Sequence, residues 1–292
     1  MGRCCPWLLC CLALSPPALA GPDNLKQTVN ICDDAAEWPP YVYYQRTLGV
    51  KHTNQITGAT TELLKQIFTN LGLNYRLQLL PWKRCLYEVE HFDRNGNFEV
   101  VSNASTNQKR LSYSYASLPL YRVHQGAFSS PRRFPQPPDI KQPSDFNTYR
   151  LCGIHGYNYD MFYQTGIKPE WDYSPGSNHQ ALLMLSARHC DFFMGTLEPV
   201  LGGEPAGLYQ ISEDIRYLAV EGMPVTDFHL LVSKASPRGE WLIEQINQQL
   251  QRLQRSGLVD AIYHRYLPLH GSGLHPHPPG SAIVSKRLSL PP

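Results

Sequence analysis

The chain has 292 residues, of which 42% are hydrophobic, 17% charged and 11% aromatic, with 25 prolines and 8 cysteines. That length buries one large core or two medium ones, and the composition excludes a polytopic membrane protein, a collagen and a wholly disordered chain. The formal net charge of +2 lacks the basic excess of a nucleic-acid binder.

Residues 1–20 read MGRCCPWLLCCLALSPPALA. Arg3 supplies a positive start, residues 7–14 form a short apolar run, and Ala18-Leu19-Ala20 has the small-x-small form of a signal-peptidase site. The run is too short to span a bilayer, and Pro6, Pro16 and Pro17 argue against a buried helix. A cleaved secretory signal over 1–20 is expected, with the mature chain starting near Gly21. Cleavage removes Cys4, Cys5, Cys10 and Cys11 and leaves Cys32, Cys85, Cys152 and Cys190, an even number in an oxidising compartment. Four cysteines allow three pairings, and no C-x-x-C pair suggests a zinc ribbon.

Beyond the signal, short strands alternate with helices. A strand is expected over 28–32. Residues 60–71 form an amphipathic helix, with Leu63, Leu64, Ile67, Phe68 and Leu71 at helical spacing and Gly72 as the stop. A strand follows over 75–80, a helix over 82–92, a break at Asp93-Arg94-Asn95-Gly96, and a strand over 98–102. This β-α-β-α-β order is the mark of a parallel sheet with helices packed on it. Residues 132–143 are proline-rich and irregular. A second cycle then reads as a strand over 150–154, a helix opened by Gly156, a helix over 178–189 and a strand over 191–195. A further strand over 228–233 and helices over 240–254 and 258–266 complete the pattern. The tail, 271–292, has five prolines and no acids and is expected to be disordered. The patterns G-x-x-x-x-G-K-[ST], H-E-x-x-H and G-x-S-x-G are absent.

One constellation stands above this background: Pro81-Trp82-Lys83-Arg84-Cys85, then Ser102-Asn103-Ala104-Ser105-Thr106 leading to Arg110, then Ser117-x-Pro119-x-Tyr121. It resembles family 3 of the extracytoplasmic solute-binding proteins, the polar amino-acid binders of ABC importers. In that family a strand ending in small hydroxyl residues precedes an arginine and an F-S-x-P-Y segment. Here Ala116 replaces the usual Phe, and Leu120 is inserted before Tyr121. Trp38-Pro39-Pro40-Tyr41, residues 58–63, Gly156-Tyr157 and residues 240–266 also resemble family segments, so the likeness covers nearly all of 28–267.

The resemblance implies an α/β, two-lobe periplasmic-binding-protein-like (type II) fold with a hinge of two crossing strands. Lobe 1 would comprise 24–122 plus 224–270, and lobe 2 would comprise 123–223. It places a ligand carboxylate on Arg110, beside Asn103 and Ser105. The chemistry holds independently, because a guanidinium fork matches a carboxylate in geometry and charge. Gly156, Tyr157 and Asn158 would add backbone donors at a helix N-terminus of the other lobe. Trp38 is expected to stack on the ligand's apolar part, while Tyr41 and Trp82 read equally as core packing. Arg84 either reaches the cleft or pairs with an acid of its own lobe.

The family's ammonium-binding aspartate, five residues past Asp191, is replaced by Thr196. Glu198 or Asp33/Asp34 would then supply the charge, or the ligand is not a standard α-amino acid. The lobe assignment pairs Cys32 with Cys85 and Cys152 with Cys190, one bridge per lobe, each worth roughly 3–4 kcal/mol through chain entropy.

The expected function is that of a periplasmic solute-binding protein, not an enzyme. It would clamp a small carboxylate-bearing, amino-acid-like ligand for delivery to an ABC importer permease or a sensor. It would be a monomer, without cofactor, metal or nucleic acid. A cyclohexadienyl dehydratase-like lyase on the same fold, with Glu198 or His155 as general acid, is the enzymatic alternative. A ligand-sensing module without a transporter is the other.

Overall fold

A computed structural model describes residues 28–212, 214–218 and 220–266; the expected signal segment and C-terminal tail lie outside the described residues. The first strand, β1 (Val29–Asp34), is buried along nearly its whole length, as a strand covered on both faces must be. It is flanked in parallel by β4 (Tyr75–Leu80) and β5 (Val100–Ala104). Helix α1 (Ala59–Leu71) and helix α2 (Trp82–Glu90) make the crossovers. Leu63, Leu64, Ile67 and Phe68 of α1 are fully buried, each worth about 2 kcal/mol. Gly58 leads into α1 at φ 120°, where a Cβ would lie 2.2 Å from the Tyr41 carbonyl oxygen. Only glycine fits there.

A hairpin of β2 (Tyr43–Thr47) and β3 (Val50–Thr57) precedes α1. Its residues are mostly exposed and polar, so they carry no apolar alternation from which strands could be read. Its two turn residues, Leu48 and Gly49, both have positive φ, the requirement of a tight two-residue hairpin turn.

After helix α3 (Phe92–Asn95), helix α4 (Gln108–Tyr113) and short strand β6 (Ser114–Ala116), the chain leaves the first half through β7 (Tyr121–Ser129). The second half contains β8 (Leu151–Cys152), helix α5 (Asp160–Tyr163), helix α6 (Asn178–Ser186), β9 (Phe192–Thr196), helix α7 (Leu197–Gly202) and β10 (Arg216–Leu218). The chain returns through β11 (Val225–Ser233). Strands β7 and β11 pair antiparallel from Tyr121↔Phe228 to His124↔Val225. Beyond that overlap β11 joins β5 and β6, whereas β7 joins β9 and β10. The sheet path β4-β1-β5-β11-β7-β9-β8 thus has two halves connected by two strands. Helix α8 (Gly239–Arg255) and helix α9 (Leu258–Tyr266) pack with α1 in the first half's main apolar core, while the second half has its own cores.

Both expected disulfides are present. Cys32–Cys85 joins β1 to α2 and Cys152–Cys190 joins β8 to the residue before Asp191, with Cα–Cα distances of 5.7 and 5.9 Å. Other expectations are corrected. Gly156 opens a turn at φ 82°, not a helix, and α5 begins only at Asp160 with a single turn. The intervening Tyr157, Asn158 and Tyr159 are held by side-chain bonds to Asp34, Ser105 and the Ile154 N–H, which hold them in tertiary contacts outside any helix. The strand expected over 98–102 is displaced two residues, to Val100–Ala104; Glu99 before it is buried in an ion pair with Arg238. Among the described residues no helix is long and apolar enough to cross a membrane.

Candidate functional site

The halves face each other across a cleft with about 570 Å³ of atom-free space, part of it open to solvent. Its first wall is built from the C-terminal ends of β1 and β5, where open α/β sheets place their ligand crevices. Asp33 and Asp34 come from β1, Asn103 from β5, Ser105 and Arg110 from the segment after it, and Trp38, Trp82 and Phe228 complete this wall. The second wall includes Tyr157, Asn158, Asn178 and Thr196, and Gln125 of β7 lies between the two.

Arg110 sits on α4, whose N-cap Asn107 side chain accepts the Arg110 backbone N–H at 2.8 Å. Arg110 is 5% exposed, and its guanidinium lies over the Trp82 ring at 5.4 Å. Its Nη1 donates to the Ser105 carbonyl at 2.7 Å and the Ser105 hydroxyl at 3.1 Å. No carboxylate among the described residues forms an ion pair with it. Burial pushes its pKa down to about 10, so it remains charged at neutral pH.

The acidic end is equally enclosed. Asp33 Oδ2 accepts from the Ser102 hydroxyl at 2.5 Å and Asn103 Nδ2 at 2.7 Å, and Oδ1 accepts from the Asp34 backbone N–H at 2.7 Å. Asp34 accepts from the Ala36 backbone N–H at 2.9 Å and, across the cleft, from the Tyr157 hydroxyl at 2.9 Å. Burial raises the two carboxyls to about 7 and about 6 respectively, against the opposing pull of these bonds. Asn103 is held at φ 52°, and its Oδ1 accepts from Thr60 and Tyr121 hydroxyls. Its amide is therefore spent on positioning Asp33.

Aromatic rings line the space between. Trp38 stacks on Phe228 with ring centroids 5.4 Å apart, meets Tyr157 edge-on at 5.6 Å, and donates its Nε1 hydrogen to Tyr121. A second contact across the cleft is made by Asn158, whose Nδ2 donates to the Ser105 hydroxyl at 3.2 Å and the Thr106 carbonyl at 3.0 Å. Thr196 donates to Gln125 Oε1 at 3.0 Å, and Gln125 donates to Thr226 at 3.2 Å. That corner of the cleft is neutral.

Of the residues singled out from the sequence, Arg110, Ser105, Asn103, Trp38, Tyr157 and Thr196 line the cleft. Four do not. Tyr41 is wholly buried and stacked on Tyr121 at 3.7 Å. Arg84 is exposed and pairs with Glu88 one helical turn away. Gly156 lies against the Lys83 side chain outside the cleft lining. Glu198 turns its carboxylate to the backbone N–H and ring nitrogen of His124, the latter at 2.6 Å. Asp33 and Asp34, named only as alternatives to Glu198, are the acids at the cleft. Gln125, Asn178 and Phe228 were not singled out and carried no local signal; Asn158 was expected only as a backbone donor, and its side chain is what reaches across the cleft.

The comparisons agree with this architecture. Residues 31–269, more than half of the chain, match the family described as "Bacterial extracellular solute-binding proteins, family 3". A histidine kinase sensor domain with similarity to periplasmic binding proteins superposes with a TM-score of 0.67 at 16% identity, over 82% of this chain and 96% of that one. A substrate-binding protein of a Streptococcus pneumoniae ABC uptake transporter, with bound histidine, gives 0.66 at 15% identity, over 84% and 94%. The ancestral amino-acid-binding protein AncCDT-1, a precursor of cyclohexadienyl dehydratase, gives 0.61 at 16% identity, over 82% and 95%. A search of curated proteins finds no significant match. At these identities the structural likeness carries the fold, and the family match carries the assignment: the chain belongs to family 3 of the bacterial extracellular solute-binding proteins.

Proposed function

We propose that this protein is a periplasmic binding protein, not an enzyme. It captures a small carboxylate-bearing, amino-acid-like solute between its lobes and passes it to an ABC importer permease. Arg110 carries this reading: a buried guanidinium facing the cleft, in no ion pair with a carboxylate among the described residues and with Asp160 acting on it only at longer range, asks for an anionic ligand. Ser105 and Asn158 lie beside it as further polar contacts. Residues 24–122 plus 224–270 and residues 123–223 act as the two bodies of the clamp, hinged at β7 and β11. Ligand seen by both lobes would favour the closed state.

The enzymatic alternative loses support from the placement of Glu198. Its carboxylate is turned to His124 and is not presented to the cleft. The sensing alternative has a structural neighbour in the kinase sensor domain, a likeness of fold alone. Thermal shift of the purified protein against a panel of amino acids and simple carboxylates tests the reading. At least one carboxylate is expected to raise the melting temperature, and Arg110→Met is expected to erase the shift. If no carboxylate stabilises the protein, or if Arg110→Met keeps the shift, the reading fails. Turnover of prephenate or arogenate would replace it with the lyase.

A further inference from the structure

The two halves also meet outside the cleft. Helix α7 of the second half ends on Gly202. A Cβ placed there would lie 2.7 Å from the Pro39 carbonyl oxygen and 2.9 Å from Pro40 Cδ, both in the first half. Non-bonded heavy atoms settle at about 3.5–4.0 Å, so the helix end rests on the Pro39 peptide with no room for a side chain. Nothing within α7 asks for glycine at this position. Gly202 is not among the glycines at positive φ, and glycine weakens a helix relative to alanine. Its neighbour Gly203 is the contrast, because a Cβ there would meet the Tyr209 ring of the same half. Gly202 is bare for the sake of the opposite half.

The receiving surface is held in place. Pro39 and Pro40 are buried and conformationally restricted. Two residues before Pro39, the buried Glu37 accepts from both Arg46 Nη atoms at 2.8 Å and from Lys51 at 3.0 Å. The Arg46 stem fixed in this way lies against a second glycine of the other half: a Cβ at Gly207 would be 3.3 Å from Arg46 Cδ. A crevice beside these contacts, walled by Glu37, Pro39 and Arg46 on one side and His179, Leu208 and Tyr209 on the other, has about 610 Å³ of atom-free space, part of it open to solvent. Close approach is thus concentrated at Gly202. Pro39, Arg46, Gly202 and Gly207 do not line the ligand cleft. Helix α7 nevertheless connects to it. Thr196, just before the helix, lines the cleft, and Glu198 in its first turn holds His124 of the hinge strand β7.

We propose that Gly202 is a positioning residue for closure: its bare Cα lets α7 dock on the Pro39 peptide, and that docking fixes how far the two halves approach. This goes beyond the chemistry of the solute and rests only on the two-body clamp reading. A methyl group at position 202 parts the halves by roughly 1 Å at this point. A hydrogen bond does not survive that stretch, so the cross-cleft bonds of Tyr157 and Asn158, at 2.9–3.2 Å, are lost with it.

Small-angle X-ray scattering of the purified protein tests this, comparing the natural chain with Gly202→Ala, each alone and in a mixture of the standard L-amino acids. The natural protein is expected to scatter as the compact, closed structure in at least one condition. Gly202→Ala is expected to lose the compact form in both, with a larger radius of gyration, while its melting curve stays cooperative. If the variant is as compact as the natural protein, the proposal is refuted. A lowered melting temperature with unchanged scattering makes Gly202 an ordinary packing residue and refutes it too. A natural protein that is compact in neither condition refutes the docking itself. Should Gly202→Ala fail to fold, hydroxyl-radical footprinting of the natural protein decides. Pro39 and Pro40 should resist oxidation when the protein is compact, and their oxidation in the compact form overturns the proposal. The carboxylate reading is judged separately, by the thermal shifts, and survives the failure of this one.

Discussion

Replacing Arg110 with Met gives two effects that separate a ligand-binding cation from a structural strut. Burial lowers the Arg110 pKa from the usual guanidinium range to about 10, a penalty on the charged form of roughly 3 kcal/mol. Against this, the side chain gains hydrogen bonds to the Ser105 carbonyl and hydroxyl, of the charged kind worth about 1.5–3 kcal/mol. The balance is near zero, so the unliganded variant should melt within about 5 °C of the natural protein, at roughly 2–4 °C per kcal/mol for a chain of this size. The liganded protein behaves differently. Ligand at a hundred times its Kd stabilises by about 2.7 kcal/mol, a shift of roughly 5–10 °C. Removing one partner of a buried charge pair costs about 2–5 kcal/mol of binding, enough to cancel that shift at the same ligand concentration. Differential scanning fluorimetry measures both quantities. An unliganded melting point more than about 10 °C below the natural one, together with a retained ligand shift, would falsify the reasoning: Arg110 would then be a structural strut.

Protonation of the acidic wall should be visible in the unliganded protein. Folding raises Asp33 to about 7 and Asp34 to about 6. Between about pH 4 and 7 the folded state therefore holds more protons than the unfolded state, and stability falls as pH rises through that window. The groups facing the pair, Ser102, Asn103 and Tyr157, carry no charge near neutrality. Melting curves for Asp34→Asn should show a shallower slope over the same window; an unchanged slope would remove Asp34 from the account. Asp191, held at about 2 despite burial by its bonds to Arg150 and Arg133, acts in the opposite direction and at lower pH. Its contribution is complete above about pH 4 and is lost as pH falls toward 2. Asn158→Ala removes two hydrogen bonds across the cleft, each worth about 1 kcal/mol. Ligand dissociation followed by stopped flow should accelerate by up to roughly thirtyfold, and an unchanged rate would mean that these bonds do not hold the closed state. Gly58→Ala would force a Cβ onto the Tyr41 carbonyl at a φ of 120°. A loss of more than about 2 kcal/mol in denaturant unfolding is expected, and a variant of natural stability would contradict the close approach.

Much of the frame is written in local sequence. The apolar spacing of Leu63, Leu64, Ile67 and Phe68 prescribes a helix wherever the chain folds, because burying that stripe outweighs other local preferences. The run 75–80 coincides with a strand in the structure because its residues suit a half-buried pleat. The two cysteine pairs were legible once the lobes were assigned, since each bridge joins adjacent elements of one lobe. Arg110 could be picked out because its neighbourhood, from Ser102 to Tyr121, is contiguous in the chain.

What the sequence left open was decided by groups distant in the chain. Tyr41 and Trp38 are three residues apart in the same aromatic segment, yet one is stacked inside the first core and the other faces the cleft. Glu198 and Asp34 are both acids near the end of a strand, but His124 occupies the first, while the second accepts only from neutral donors. Gly156 lost its expected helix because the residues after it bond to the other half of the molecule. Local propensity has no term for such partners. A side chain's partner, and so whether its charge is spent or free, is set by which distant elements the fold brings beside it.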